Sequence, residues 1–99
     1  MKPYWTSKQA INGLFHFVIV NEYEDNGEIY FLLVSAIDVE VNINISKRSF
    51  ENSEQWICDW NCSKEFMLIT DEYKEFKLRG KNKKNKRIFI DKNSEFNIS

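Results

Sequence analysis

Between residues 14 and 46 the chain carries three consecutive apolar segments with strand-like spacing. Leu14-Phe15-His16-Phe17-Val18-Ile19-Val20 is rich in aromatic and β-branched side chains, which suit a pleated surface. Phe15, Phe17 and Ile19 share one face and His16, Val18 and Val20 the other. Both faces are largely apolar, so this strand is expected to be buried on two sides or to sit in a strongly curved sheet. Asn26-Gly27 then falls between two apolar runs, and a type I′ turn needs positive φ at both of its central positions, so a hairpin is expected there. The returning strand, residues 29–37, is again apolar on both faces, and Asp38 marks the next reversal. From residue 39 to 46 the pattern becomes a clean alternation. Val39, Val41, Ile43 and Ile45 point one way, and Glu40, Asn42, Asn44 and Ser46 the other, the signature of a strand with one dry and one wet face. Three such strands in series make an antiparallel meander.

The flanks are read relative to this meander. Residues 1–12 are polar and mixed, and read as an N-terminal arm with a short turn of helix over 7–11, closed by Gly13. Beyond the meander the strand period stops, and Ser53 is placed to cap a short helical turn over residues 53–60. Such a turn would put Trp56 and Trp60, at i and i+4, on one face covering the open end of the sheet. The C-terminal part, residues 65–98, reads as further short strands at 65–70, 75–79, 87–91 and 95–98, with residues 80–86 as the loop of a second hairpin. The expectation is a single all-β domain over residues 1–99. It would be a small curved antiparallel barrel or sandwich of six to seven strands with one short helical turn.

Composition refines this picture. A chain of 99 residues buries a modest core, and its 15% aromatic content supplies large apolar area per side chain. The formal net charge of −1 implies neither a general nucleic-acid coat nor a membrane-surface protein. Charge is unevenly distributed, however. Acids dominate from residue 22 to 72, and from residue 74 to 87 Lys74, Lys77, Arg79, Lys81, Lys83, Lys84, Lys86 and Arg87 reverse the sign. The first residues lack an apolar signal core, and no run reaches the ~18 apolar residues of a membrane span, so a cytoplasmic location without a membrane partner is expected. In a reducing compartment Cys58 and Cys62 read as free thiols. No feature of the sequence sets an oligomeric state.

Candidate chemistry is sparse. His16 is the single histidine, and lying mid-strand between Phe15 and Phe17 it reads as a satisfied or partly exposed sheet histidine. Cys58 and Cys62 with His16 could supply three metal ligands, but a second matched pair is missing, so no metal site is expected. No carboxylate pair or glycine-rich loop marks a catalytic or phosphate site. The expectation is therefore a protein without enzymatic activity or cofactor. As partner-binding residues the margins of the meander stand out: Glu40, Asn42 and Asn44 on its wet face, and Trp56, Asp59 and Trp60 at its cap. The alternative site is Lys81, Lys83, Lys84, Lys86 and Arg87 on a positive hairpin finger. With Tyr73, Phe76 and Phe89 nearby it could contact phosphates and stack bases. The same lysines also serve to discourage edge-to-edge pairing of sheets.

Trp5-Thr6-Ser7, then Gly13 and His16-Phe17, then Leu33-Val34-Ser35-Ala36-Ile37-Asp38, and last Trp56 and Trp60 together resemble a family of short tryptophan-rich bacterial and cyanobacterial proteins of unknown function. The resemblance spans residues 5–60 and implies a compact β domain. It departs at Asp59, where that family tends to have glycine, and the basic segment lies beyond it. Size, absence of catalytic residues, the acidic belt and the aromatic surplus point to a binding protein that acts through a protein partner, an inhibitor or immunity-type factor blocking a nuclease or toxin. The alternative expectation is a nucleic-acid-binding module that uses the lysine- and arginine-rich hairpin.

Overall fold

The computed structural model describes residues 2–60, 68–79 and 87–90. They form a mostly β structure of six strands and two helices: β1 (Tyr4–Ile11), β2 (Leu14–Asp25), β3 (Glu28–Ser35), β4 (Asn42–Ser46), α1 (Lys47–Asn52), β5 (Trp56–Cys58), α2 (Ile69–Arg79) and β6 (Arg87–Ile90). The strands make one sheet in the order β5-β1-β2-β3-β4-β6. The meander is present as β2-β3-β4, and the strand number falls within the expected range. The expected closure into an antiparallel barrel or sandwich is corrected: the sheet is open, and β6 runs parallel to β4, pairing Asn42 with Arg87 and Ile45 with Ile90.

Residues 1–12 are not an arm, because residues 4–11 are strand β1, antiparallel to β2. The physical reason is a second Asn-Gly turn. Asn12 and Gly13 hold φ of 53° and 77°, close to the 52° and 76° of Asn26 and Gly27 at the expected hairpin, and the same turn chemistry joins both strand pairs. Beyond Ile19 the alternation of β2 shifts at a bulge between Ile19 and Asn21. Val20, expected on an apolar face, is therefore 56% exposed.

The helical turn expected over residues 53–60 is also corrected. The helix lies earlier, at Lys47–Asn52. Its N-cap is Ser46, whose hydroxyl accepts the Ser49 N–H at 3.1 Å, while Ser53 closes its C-terminus. Residues 56–58 instead pair with the open edge of β1, Ser7 opposite Trp56 and Trp5 opposite Cys58. A free edge offers a ladder of backbone partners, and here it outweighs the weak local preference for a helical turn. The strand expected at 75–79 is the second half of α2, so no second hairpin joins it to β6. Glu, Lys, Leu and Arg in this stretch are strong helix formers, with Asp71 and Glu72 in the first turn and Lys77 and Arg79 in the last, as the helix dipole favours. The expected strand 65–70 overlaps α2 at residues 69 and 70, residue 68 leads into the helix, and residues 65–67 lie outside the described residues, as do residues 80–86 and 95–98.

Most of the core lies on the Phe17 face of the sheet, while the buried pair Ile11–Leu14 falls with His16 on the other. Cross-strand partners share a face, which brings together Trp5 with Phe17, Leu33 with Ile43, Phe31 with Ile45 and Ile45 with Ile90. Phe50 of α1 closes over them, its ring 4.8 Å from that of Trp5, 5.3 Å from Phe31 and 5.4 Å from Trp56. On the opposite face α2 reaches β2 at His16.

Candidate functional site

The expected partner-binding residues divide between the two sides of the sheet. Glu40, Asn42 and Asn44 belong to β4 and the turn before it, whereas Trp56, Asp59 and Trp60 belong to β5 and the turn after it. With β1, β2 and β3 between them and a strand spacing of about 4.8 Å, the two groups lie roughly 19 Å apart. They do not make one patch.

On the β4 side, the alternation is as expected on the dry side, where Val41, Ile43 and Ile45 are buried, but Val39 precedes the strand and is exposed. The other side is far drier than its polar composition suggests. Glu40 is exposed and Asn42 half-buried, while Asn44 and Ser46 are buried. The amides form a ladder: Asn42 Nδ2 donates to the Glu40 carbonyl at 3.2 Å, Asn44 Nδ2 to Asn42 Oδ1 at 3.5 Å, and the Tyr23 hydroxyl to Asn44 Oδ1 at 2.7 Å. Tyr23 stacks on Tyr30, with ring centroids 5.6 Å apart. Burial raises the Tyr23 pKa above its ordinary 10.0, and the nearby Asp25 carboxylate raises it further.

On the β5 side the two tryptophans part company. Trp56 points into the core against Phe17 and Phe50. Trp60 lies on the opposite face, its ring 4.6 Å from that of Tyr4 in an edge-on arrangement and 6.4 Å from that of His16. Its indole Nε1–H donates to the Phe17 carbonyl at 3.1 Å, which fixes the ring in place. Asp59 sets this geometry. Its backbone N–H donates to the Tyr4 carbonyl, its own carbonyl accepts from the Thr6 hydroxyl, and its carboxylate accepts the Trp60 N–H. Its φ of 81° lies in the left-handed region, which accounts physically for the glycine that the resemblance places at this position. Tyr4 is 47% exposed and Asp59 is exposed, so the pair presents aromatic area beside a negative charge.

Sequence reasoning missed Glu72. Its side chain is 0% exposed and so is His16, and the two meet with Glu72 Oε2 2.5 Å from His16 Nδ1. The Phe15 N–H donates to Oε2 at 3.0 Å and the His16 N–H to Oε1 at 3.5 Å. Between the pairs Thr6–His16 and Ile11–Leu14, residues 7–10 of β1 bulge against the single Phe15, whose N–H bonds the carboxylate. His16 is thus the satisfied sheet histidine of the first reading, with Glu72 as the partner. The signal for Glu72 was available only in a helical reading, where Ile69, Glu72 and Phe76 fall on one side at i, i+3 and i+7.

Lys81, Lys83, Lys84 and Lys86 lie outside the described residues. Arg87 opens β6 and is exposed. Among the described residues no group of three or more His, Cys, Asp or Glu side chains converges to hold a metal, and no helix is long and apolar enough to cross a membrane.

A family profile described as Tryptophan-rich protein (DUF2389) matches residues 4–61. The chain belongs to this family. The match covers β1 to β5 and the Tyr4–Trp60 pair, and stops before α2 and β6. Searches of curated proteins and of solved structures gave no match.

Proposed function

We propose that this DUF2389 member is a non-enzymatic binding protein that engages a protein partner through the Tyr4–Trp60 patch. One observation carries the reading: two aromatic rings are held 4.6 Å apart on one sheet face, one of them anchored by its indole N–H and the other half exposed. Tyr and Trp dominate the energetics of protein interfaces, and a ring already fixed before binding loses little entropy there. Asp59 beside the pair, together with the acids that predominate from residue 22 to 72, favours a basic partner by charge complementarity. An inhibitor or immunity-type role in the cytoplasm, blocking a nuclease or toxin, fits that chemistry.

The test is affinity capture with the full-length chain from its source cell, with and without nuclease treatment, followed by binding measurements on the purified partner. Tyr4→Ala is expected to weaken binding by about 10-fold or more, the range of an interface hot spot, while leaving the circular dichroism spectrum unchanged. Capture of nucleic acid alone overturns the proposal.

A second reading, nucleic-acid binding, is supported by β6. Arg87 and Phe89 alternate on the same side of that strand, Phe89 is 62% exposed, and their opposite residues on β4 are the amides Asn42 and Asn44. A cation, a stacking ring and two amides suit a single strand. This reading requires binding that weakens steeply with salt and with Lys83→Glu, Lys84→Glu and Lys86→Glu.

A further inference from the structure

Nothing in the aromatic patch accounts for the buried His16–Glu72 pair. Helix α2 offers the sheet few apolar side chains, with Phe76 packed against the core cluster. Leu68 just before it, and Tyr73 and Leu78 within it, are exposed, Phe76 is only half-buried, and the one described side chain that it sinks completely is a carboxylate. Withdrawing a carboxyl group from water is costly, and a well-packed apolar side chain often holds such a position as firmly. Stability alone is therefore a weak reason for Glu72.

The receiving side is more specific. Two successive backbone N–H groups, those of Phe15 and His16, and the imidazole Nδ1 of His16 all converge on the Glu72 carboxylate. Two N–H donors with a ring nitrogen beside them suit a planar group with two oxygens. It is built by the β1–β2 hairpin, where the register break frees the Phe15 N–H from the ladder. Phe15 and His16 lie inside the span that matches the family, and Glu72 lies beyond it.

We infer that this cradle is a carboxylate-binding site and that α2 carries its tethered occupant. The ligand class is the side-chain carboxylate of an acidic polypeptide segment, which Glu72 supplies from within the chain. Tethering makes the Glu72 contact intramolecular, and the packing of Phe76 on the core adds to its hold, so in the native chain Glu72 keeps weak carboxylates out. The inference is independent of the Tyr4–Trp60 reading, since it invokes neither ring as a contact for the ligand.

The test uses the full-length chain with Glu72→Ala, which removes from the cradle the equivalent of one acetate ion. Acetate is titrated against chloride at matched ionic strength, and the backbone amide signals of Phe15 and His16 are followed by NMR. Saturable acetate-specific shifts at these two amides are expected in Glu72→Ala. They should be absent in the native chain and lost again in the double variant His16→Phe, Glu72→Ala. Should Glu72→Ala fail to fold, acetate is expected to restore its dispersed spectrum where chloride does not. A variant that acetate neither shifts nor refolds, or a native chain that responds as strongly as the variant, overturns the inference.

Discussion

The fold controls the ionisation of Tyr23. Its hydroxyl must keep a proton to donate to Asn44 Oδ1, and both burial and the Asp25 charge disfavour the phenolate. The folded-state pKa is raised, so the native chain holds this proton more tightly than the unfolded chain does. The associated stability is fully present below the unfolded value of 10.0 and is lost as pH rises through the folded value. Denaturant midpoints followed upward from pH of about 10 are expected to fall faster for the native chain than for Tyr23→Phe. A titration of tyrosinate absorbance should show a late-ionising component that Tyr23→Phe removes. At this scale the sequence was half legible. It identified Asn44 as a polar residue opposite an apolar row, but a polar side chain reads as wet whether it meets water or a tyrosine hydroxyl. His16 was recognisable as a sheet histidine, whereas its partner 56 positions along the chain was not.

Among the elements, α1 shows how a six-residue helix can matter through a single side chain. It is too short to be stable alone, and Phe50 is its buried residue, meeting Trp5, Phe31 and Trp56. What starts the helix at the end of β4 is the Ser46 hydroxyl on the Ser49 N–H. Ser46→Ala is expected to cost about 1 kcal/mol, read as a lowered urea midpoint. Ser53→Ala should change stability by no more than about 0.5 kcal/mol, because its hydroxyl accepts only from Gln55 in a following turn. The opposite order would restore Ser53 as the principal cap. The two serines are equivalent by local sequence, and position relative to the aromatic layer decides between them. The two Asn-Gly turns teach the converse lesson. Asn12-Gly13 carried the same signal as Asn26-Gly27 and formed the same kind of turn, but its upstream strand, Tyr4–Ile11, is polar enough to pass for an arm. Residues 75–79 failed for want of length, since five alternating residues fit a strand and a helix equally well.

On the scale of the whole molecule, the chain places its most local contacts at the centre and its most distant ones at the margins. β2, β3 and β4 are joined by short reversals. By contrast β5 crosses to the far edge to meet β1, and β6 returns to lie parallel to β4. Neither placement is legible in a sequence, because pairing order depends on which edges remain open after the meander has formed. This hierarchy gives unequal stability across the structure, since elements with few buried apolar contacts open before the central ladder does. Helix α2 is the extreme case, with Glu72 as the one described side chain that it buries fully. Glu72→Ala takes the carboxylate away from the Phe15 N–H, the His16 N–H and the His16 ring, and a buried polar group that loses its partner costs about 1 to 3 kcal/mol. If that cost falls on the docking of α2, the variant lowers the hydrogen-exchange protection of residues 69–79 by about 5- to 150-fold. Protection of the β2–β3 ladder should fall by much less. Equal loss at both sites would show that α2 opens only together with the sheet, and helix and cradle would then be parts of one cooperative unit.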